Sequence, residues 1–336
     1  MRSPLVSVII PCKNAERWLA ETIQSCLSQT WRDLEIIVVD NGSTDRSLKI
    51  ANSFRSSGVR VLGCEKPGAA AARNVGLRAA SGEYIQFLDA DDILAPEKIE
   101  IQVRELARHD PFALAICPWS VFAASLSEAT PVDASIFRNH DPIDYLCELW
   151  LTRTMMASFA YLCPRGVIER AGPWNENLSL DDDGEFFARL AQASTRIICC
   201  NNTMGYYRRN TMPSLSKSRD PEALKSAYLA IDLSIQSLLM KRDCEETRRA
   251  ASARYLYFVH STYPRVPSLV KQAERNIRLL GHAPNGPDWD GKLFWCSKLL
   301  GWKFTRRVQA LWLSGKIRAF RKIGFDPGAT PPAFIY

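Results

Sequence analysis

Apolar and polar residues follow two rhythms along the first half of the chain. Short uninterrupted apolar runs alternate with longer stretches whose apolar positions recur three or four residues apart. Residues 6–10, 34–39, 59–62, 84–88 and 113–117 are the apolar runs, and they predict buried strands. Between them, residues 18–28, a segment led by Asp45, residues 68–80 and the stretch from Pro96 to about Arg108 predict helices. Pro11 stops the first strand, Asp45 stands where a helix N-cap belongs, and Ser81-Gly82 ends the Ala-rich helix. Such alternation builds βαβ units with parallel strands, so the class is α/β, a sheet flanked by helices.

After Pro118 the rhythm loosens. Residues 159–163 and 195–199 predict two more strands, and residues 183–193 a helix. From about Pro221 the chain reads as helical, most clearly over 223–240 and 244–257. The expected organisation is a catalytic domain over residues 1–215 and a helical C-terminal region over 216–336.

Composition narrows the picture only a little. With 336 residues, 46% of them hydrophobic and 24% charged, the chain is globular rather than fibrous or disordered. A net charge of +7 favours anionic partners, whether nucleotide phosphates, nucleic acid or acidic lipid headgroups. The ten cysteines form no CxxC pair and no zinc-type spacing with His109, His140, His260 or His282, so they predict free thiols in a reducing compartment. Neither a leader peptide nor an apolar run of about 20 residues is seen, and a cytoplasmic location is expected.

Ligands of open α/β sheets sit at the carboxyl ends of strands. Two predicted strands end in acid: Asp40 closes the second, and Asp89 and Asp91 follow the fourth. Two carboxylates one residue apart in a turn repel unless a cation lies near, and Mg²⁺ or Mn²⁺ suits them because such ions take one or two carboxylates alongside substrate phosphates. Asp92 is read instead as a cap for the helix near Pro96. Asp40 fits either a hydrogen bond to a nucleotide base or an Asx turn. Arg73, in the run Ala-Ala-Ala-Ala-Arg-Asn (69–74), offers a cationic fork to phosphate or base. Asp181, Asp182 and Asp183 suit the N-terminus of a helix dipole, and one of them also suits a general base for a hydroxyl.

These segments together resemble the family 2 glycosyltransferases, which have the GT-A fold. The resemblance runs from Val6 to roughly Ser216 and rests on ordered motifs: Val-Ser-Val-Ile-Ile-Pro (6–11), Val-Val-Asp-Asn-Gly-Ser-Thr-Asp (38–45), Ala-Arg-Asn-Val-Gly-Leu (72–77) and Gly-Glu-Tyr-Ile-Gln-Phe-Leu-Asp-Ala-Asp-Asp (82–92). It implies a mixed sheet and an inverting transfer of sugar from a nucleotide-sugar donor, UDP by default, to a carbohydrate or lipid-linked acceptor hydroxyl in polysaccharide or glycoconjugate synthesis. By position, Pro11 and Asp40 line the base pocket, Arg73 lies beside the nucleotide, Asp89 meets the ribose or a metal-bound water, and Asp91 ligates Mn²⁺ or Mg²⁺. The family's Glu-Asp followed six residues later by Arg aligns with Asp182-Asp183 and Arg189, making Asp183 the base and Asp182 its partner. Where many members carry His after Tyr-Arg, this chain has Tyr207-Arg208-Arg209-Asn210, so Arg208, Arg209 and Asn210 are expected on a loop over the diphosphate.

Two rivals remain from other classes. A sugar nucleotidyltransferase needs a Gly-rich basic loop after the first strand, and Pro11-Cys12-Lys13-Asn14-Ala15 has no glycine. A nucleotide-sugar scaffold without catalysis would not require acids at 89, 91 and 183. No nucleic-acid partner is expected. Residues 292–324 hold nine Lys or Arg and no acid, with Leu293, Leu300, Phe304, Val308 and Leu311 at helical spacing. They predict either peripheral contact with the inner face of the cytoplasmic membrane or a packed helix with solvated lysines.

Overall fold

The computed structural model describes residues 3–209, 220–287 and 297–313. The chain runs β1 (Val6–Cys12), α1 (Leu19–Leu27), β2 (Leu34–Asp40), α2 (Ser47–Ser53), β3 (Arg60–Gly63), α3 (Ala69–Ala79), β4 (Tyr84–Phe87), β5 (Ile93–Leu94) and α4 (Lys98–Leu106). It continues through β6 (Ala113–Ile116), β7 (Trp119–Phe122), β8 (Thr130–Pro131), α5 (Pro142–Thr152), β9 (Cys163–Pro164), α6 (Arg165–Ala171), α7 (Asp182–Ala193), β10 (Arg196–Cys199) and β11 (Gly205–Arg208). Helices α8 (Pro221–Lys241), α9 (Glu245–Thr262), α10 (Pro267–Leu279) and α11 (Trp302–Leu313) follow.

The main sheet has the order β3-β2-β1-β4-β9, parallel except for β9. A bridge between Ala115 and Leu162 carries it on to the parallel pair β6 and β10. Val8, Ile9 and Ile10 of β1 and Ile37 to Val39 of β2 are fully buried, as expected of parallel strands covered on both faces. Helix α3 lies so close to the sheet that a Cβ on Gly76 would meet Ile9 Cγ2 at 2.4 Å, so only glycine fits there. A small second sheet, β5-β11-β7-β8, hangs from the carboxyl end of β6.

The five apolar runs of the first half all form strands. The strand expected at 159–163 does not: Ser158–Ala160 make a 3₁₀ turn, and pairing is confined to Cys163–Pro164, where proline closes the strand. Helix α4 starts at Lys98 rather than Pro96.

Helices α8, α9 and α10 share one contiguous core with the sheet. Leu224, Ile231 and Leu238, with Phe258, Val259 and Ile277, are at most 1% exposed in that core. The division expected near residue 215 falls outside the described residues. Of the basic segment 292–324, residues 297–313 are described. There α11 packs through Trp302, against His260 and Tyr263, and through buried Thr305, Arg306 and Gln309, with Lys303 Nζ 2.6 Å from Glu274, while Phe304 and Leu311 face outward. Among the described residues no helix is long and apolar enough to cross a membrane.

Candidate active site

Buried β4 delivers the first acidic turn. The Leu88 amide still donates to the Ile9 carbonyl, and the chain then reverses with the Asp92 amide on the Asp89 carbonyl. Asp89 accepts from Arg73 Nη2 at 2.8 Å and from Ser158 Oγ at 3.3 Å. Asp92 does not cap α4. Its Oδ1 accepts from the Arg208 amide at 2.9 Å, joining the turn to β11, and its buried Oδ2 has no hydrogen-bond partner among the described residues. Burial, and then Asp91 and Asp89, push its carboxyl well above the usual range, with Arg208 opposing.

The second acidic turn opens α7. Asp182 Oδ2 accepts from Arg73 Nη1 at 3.0 Å, so one guanidinium spans both turns although 89 and 182 are far apart in sequence. Arg73 is nearly buried, and its guanidinium carbon lies 4.4 Å from the centre of the Trp174 ring, itself stacked on Phe186 at 4.0 Å. Asn74 fixes that tryptophan by donating to its carbonyl at 2.9 Å and accepting from its amide at 3.0 Å. Burial, opposed by Arg73 and assisted by the neighbouring acids, pushes Asp182 up to about 7. Asp183 is likewise raised by burial, with Arg73 and the Gly184 amide (2.8 Å) opposing. A carboxylate poised upward in this way is a better proton acceptor. Arg189 ties Glu185 to the carbonyls of Ala171, Gly172 and Pro173 and so holds the loop that leads into this turn.

At the far end of the sheet, Pro11 pairs in register with Val39, and Cys12 with Asp40. Asp40 makes the Asx-type contact, accepting weakly from the Ser43 amide at 3.3 Å. Its Oδ1 is buried with no hydrogen-bond partner among the described residues, an acceptor suited to a ligand N–H. Sequence reasoning passed over Asn41, which donates to the Cys64 and Lys66 carbonyls and accepts from the Gly68 amide. That side chain ties the loop after β2 to the single loop between β3 and α3. Gly68 has φ +126°, so the loop entering α3 there requires glycine.

Arg208 departs from the expected role over a diphosphate. Its side chain is 1% exposed, donates from Nε to the Asp91 carbonyl at 2.9 Å, pairs with Glu21, and lies against the Trp18 and Phe122 rings. It braces the first acidic turn from behind. Arg209 is exposed, and its amide donates to the Phe122 carbonyl. Asn210 lies outside the described residues.

The residues meet a divalent ion in part. Asp89 and Asp91 are hard oxygen donors of the kind Mg²⁺ or Mn²⁺ takes alongside phosphate and water, although Asp89 already accepts from Arg73 and Ser158. Among the described residues no group of three or more His, Cys, Asp or Glu is disposed to hold a metal by itself.

A parallel sheet with two acidic turns meeting over its carboxyl edge defines a GT-A fold. Residues 7–156 match the family model "Glycosyl transferase family 2". An uncharacterized glycosyltransferase of Haemophilus influenzae is 46% identical over 106 residues, 31% of this chain and 42% of that one. The uncharacterized glycosyltransferase EpsJ of Bacillus subtilis is 30% identical over 215 residues, 62% of each chain. The chain thus spans less than two thirds of the length of these relatives. The structure superposes on S. aureus TarS residues 1–349 in complex with UDP-GlcNAc with a TM-score of 0.60, at 18% identity, covering 93% of this chain and 92% of that one. On the mannosyltransferase PcManGT of Pyrobaculum calidifontis in complex with GDP-Man and Mn²⁺ the TM-score is 0.54, at 17% identity, covering 96% and 84%.

Proposed function

We propose that this protein is an inverting glycosyltransferase that moves a sugar from a nucleotide-diphosphate sugar, UDP-linked by first expectation, to a hydroxyl acceptor. The observation that carries the reading is the guanidinium of Arg73, which holds Asp89 and Asp182 together and so gathers donor-side and acceptor-side acids at one sheet edge. Asp40 takes the base through its unpaired oxygen, and Pro11 lines the same pocket. Asp183, next to the paired Asp182, accepts the proton from the acceptor hydroxyl as its oxygen attacks opposite the leaving diphosphate. Asp91 and Asp89 would hold Mn²⁺ or Mg²⁺, which supplies charge neutralisation for the departing diphosphate. That proteins sharing this fold hold UDP-GlcNAc or GDP-Man with Mn²⁺ makes these the donors to try first. Arg209 is the remaining described cation of the expected diphosphate loop.

The test is Asp183→Asn, with donor binding followed by calorimetry and transfer by product release. Transfer should vanish while donor affinity stays within about twofold, and turnover like that of the wild type would overturn the assignment. The outward apolar residues of α11, flanked by lysine and arginine, also support contact with an anionic membrane surface. Co-sedimentation with phosphatidylserine vesicles checks it, and binding unaltered by Phe304→Glu would count against α11 as the contact.

A further inference from the structure

The acidic turn before α7 contains an unusual residue. Asp181 is one of three non-glycine residues with positive φ among the described residues, at φ +64° and ψ +23°, a conformation that L side chains rarely adopt. Its carbonyl accepts the Glu185 amide at 3.1 Å, so this left-handed residue aims the first turn of α7 and with it Asp182 and Asp183. Its carboxylate is 1% exposed, and both oxygens lie within hydrogen-bond distance of Arg254 Nη2, at 2.8 and 2.7 Å. Arg254 belongs to α9, in the helical region beyond the family match. Gly184 leaves room for the pair. A Cβ there would stand 2.1 Å from Asp181 Oδ1 and 3.0 Å from Arg254 Nη2. The pair borders a cleft between α5, α7 and α9 that is also lined by Asp183, Trp150, Met156, Tyr161 and Tyr257, and whose empty volume is about 720 Å³ out to its mouth. Asp183 therefore faces a cleft with an apolar and aromatic wall, while the residue two before it is locked to a helix from the C-terminal region.

We infer that Arg254 is a positioning residue for the reaction: by holding Asp181 in its left-handed conformation it fixes Asp183 against the cleft, so the C-terminal helical region completes the site. This rests on Asp183 being the base. Arg254 also opposes the rise of the Asp183 carboxyl, so its help to the reaction lies in placement and not in basicity. A misplaced base lowers turnover without weakening donor binding, because the donor acids lie on the other turn.

The experiment compares Arg254→Met, Arg254→Lys and the double variant Asp181→Asn/Arg254→Met in the full chain. Donor affinity is read by calorimetry, turnover by nucleoside-diphosphate release from UDP-GlcNAc or GDP-mannose, and folding by melting temperature. Arg254→Met should lose roughly 30-fold or more in kcat with donor affinity within about twofold, and lysine should restore part of that loss. The double variant, free of the unpaired buried charge, should regain the wild-type melting temperature and still turn over slowly. Recovery of both stability and kcat in the double variant would overturn the inference, because the pair would then only offset buried charge. So would full turnover in Arg254→Met. If Asp183→Asn turns over normally, the reading of the base fails; if it is inactive while Arg254→Met is normal, only this inference fails.

Discussion

The two acidic turns reach the same guanidinium by opposite routes. Asp89 to Asp92 hang from a strand buried from Ile85 onward, and their scaffold is the sheet itself: β4, the neighbouring β1, and β11 through Arg208. Asp181 to Asp183 start a helix, and what holds them comes from a distance: Arg73 on α3, and Arg254 on α9. The end of β4 is pinned to β1 through Phe87 and by the Leu88 amide on the Ile9 carbonyl. A helix N-terminus has unsatisfied amides and depends on outside partners for its aim. The first turn is thus held by its own sheet, and the second by side chains that reach it from remote helices.

The sharpest break of this comparison is Asp183→Asn, which should lower transfer by about 10³-fold or more while leaving donor affinity intact. Asp91→Ala should do the converse. In the presence of Mn²⁺ it should weaken donor binding about 10- to 100-fold, read by calorimetry, whereas the same substitution at 183 leaves that number unmoved. Arg73→Met strikes both turns at once. It strands Asp182 and Asp89, and because Asp89 is 37% exposed the destabilisation is set at about 2 kcal/mol rather than the full value for a buried pair, measured by urea unfolding.

The smallest effect separates the turns by pH. Asp182 is held near 7, above the roughly 4 of an unfolded carboxyl, so the native state binds this proton more tightly. Its contribution to stability is complete below about 4 and is lost as pH rises through about 7. Asp182→Asn, which mimics the protonated form, should therefore melt a few degrees higher than wild type at pH 8 without added metal. At pH 5 that gap should narrow.

The strand-end acids were legible in the sequence because they follow contiguous apolar strands. Asp40, Asp89 and Asp91 each stand at a strand end that the hydrophobic pattern already marks. The second turn was legible only as a cluster of acids. Its partner Arg254 is 73 residues away, and no periodicity ties a helix arginine to that aspartate. Arg208 misled for a related reason: a cation beside the site motif suggests phosphate, but Glu21 and two aromatic rings, all remote in sequence, take it into the interior. Helix α5 did leave a signal, Asp141-Pro142, with Asp141 accepting from the Ile143 and Asp144 amides. The strands β5 and β8, of two residues each, are too short to carry any pattern.

Arg73 gives the two acidic turns a resident counter-ion that is part of the chain. The acids at 89 and 182 are neutralised before any solute arrives, so the polypeptide does not need a bound ion to keep its carboxylates from driving the loops apart. Folding and ion loading become separate events, unlike in small domains that collapse only around their metal. A chelator should silence such an enzyme without melting it, and activity should return as fast as fresh Mn²⁺ can be mixed in.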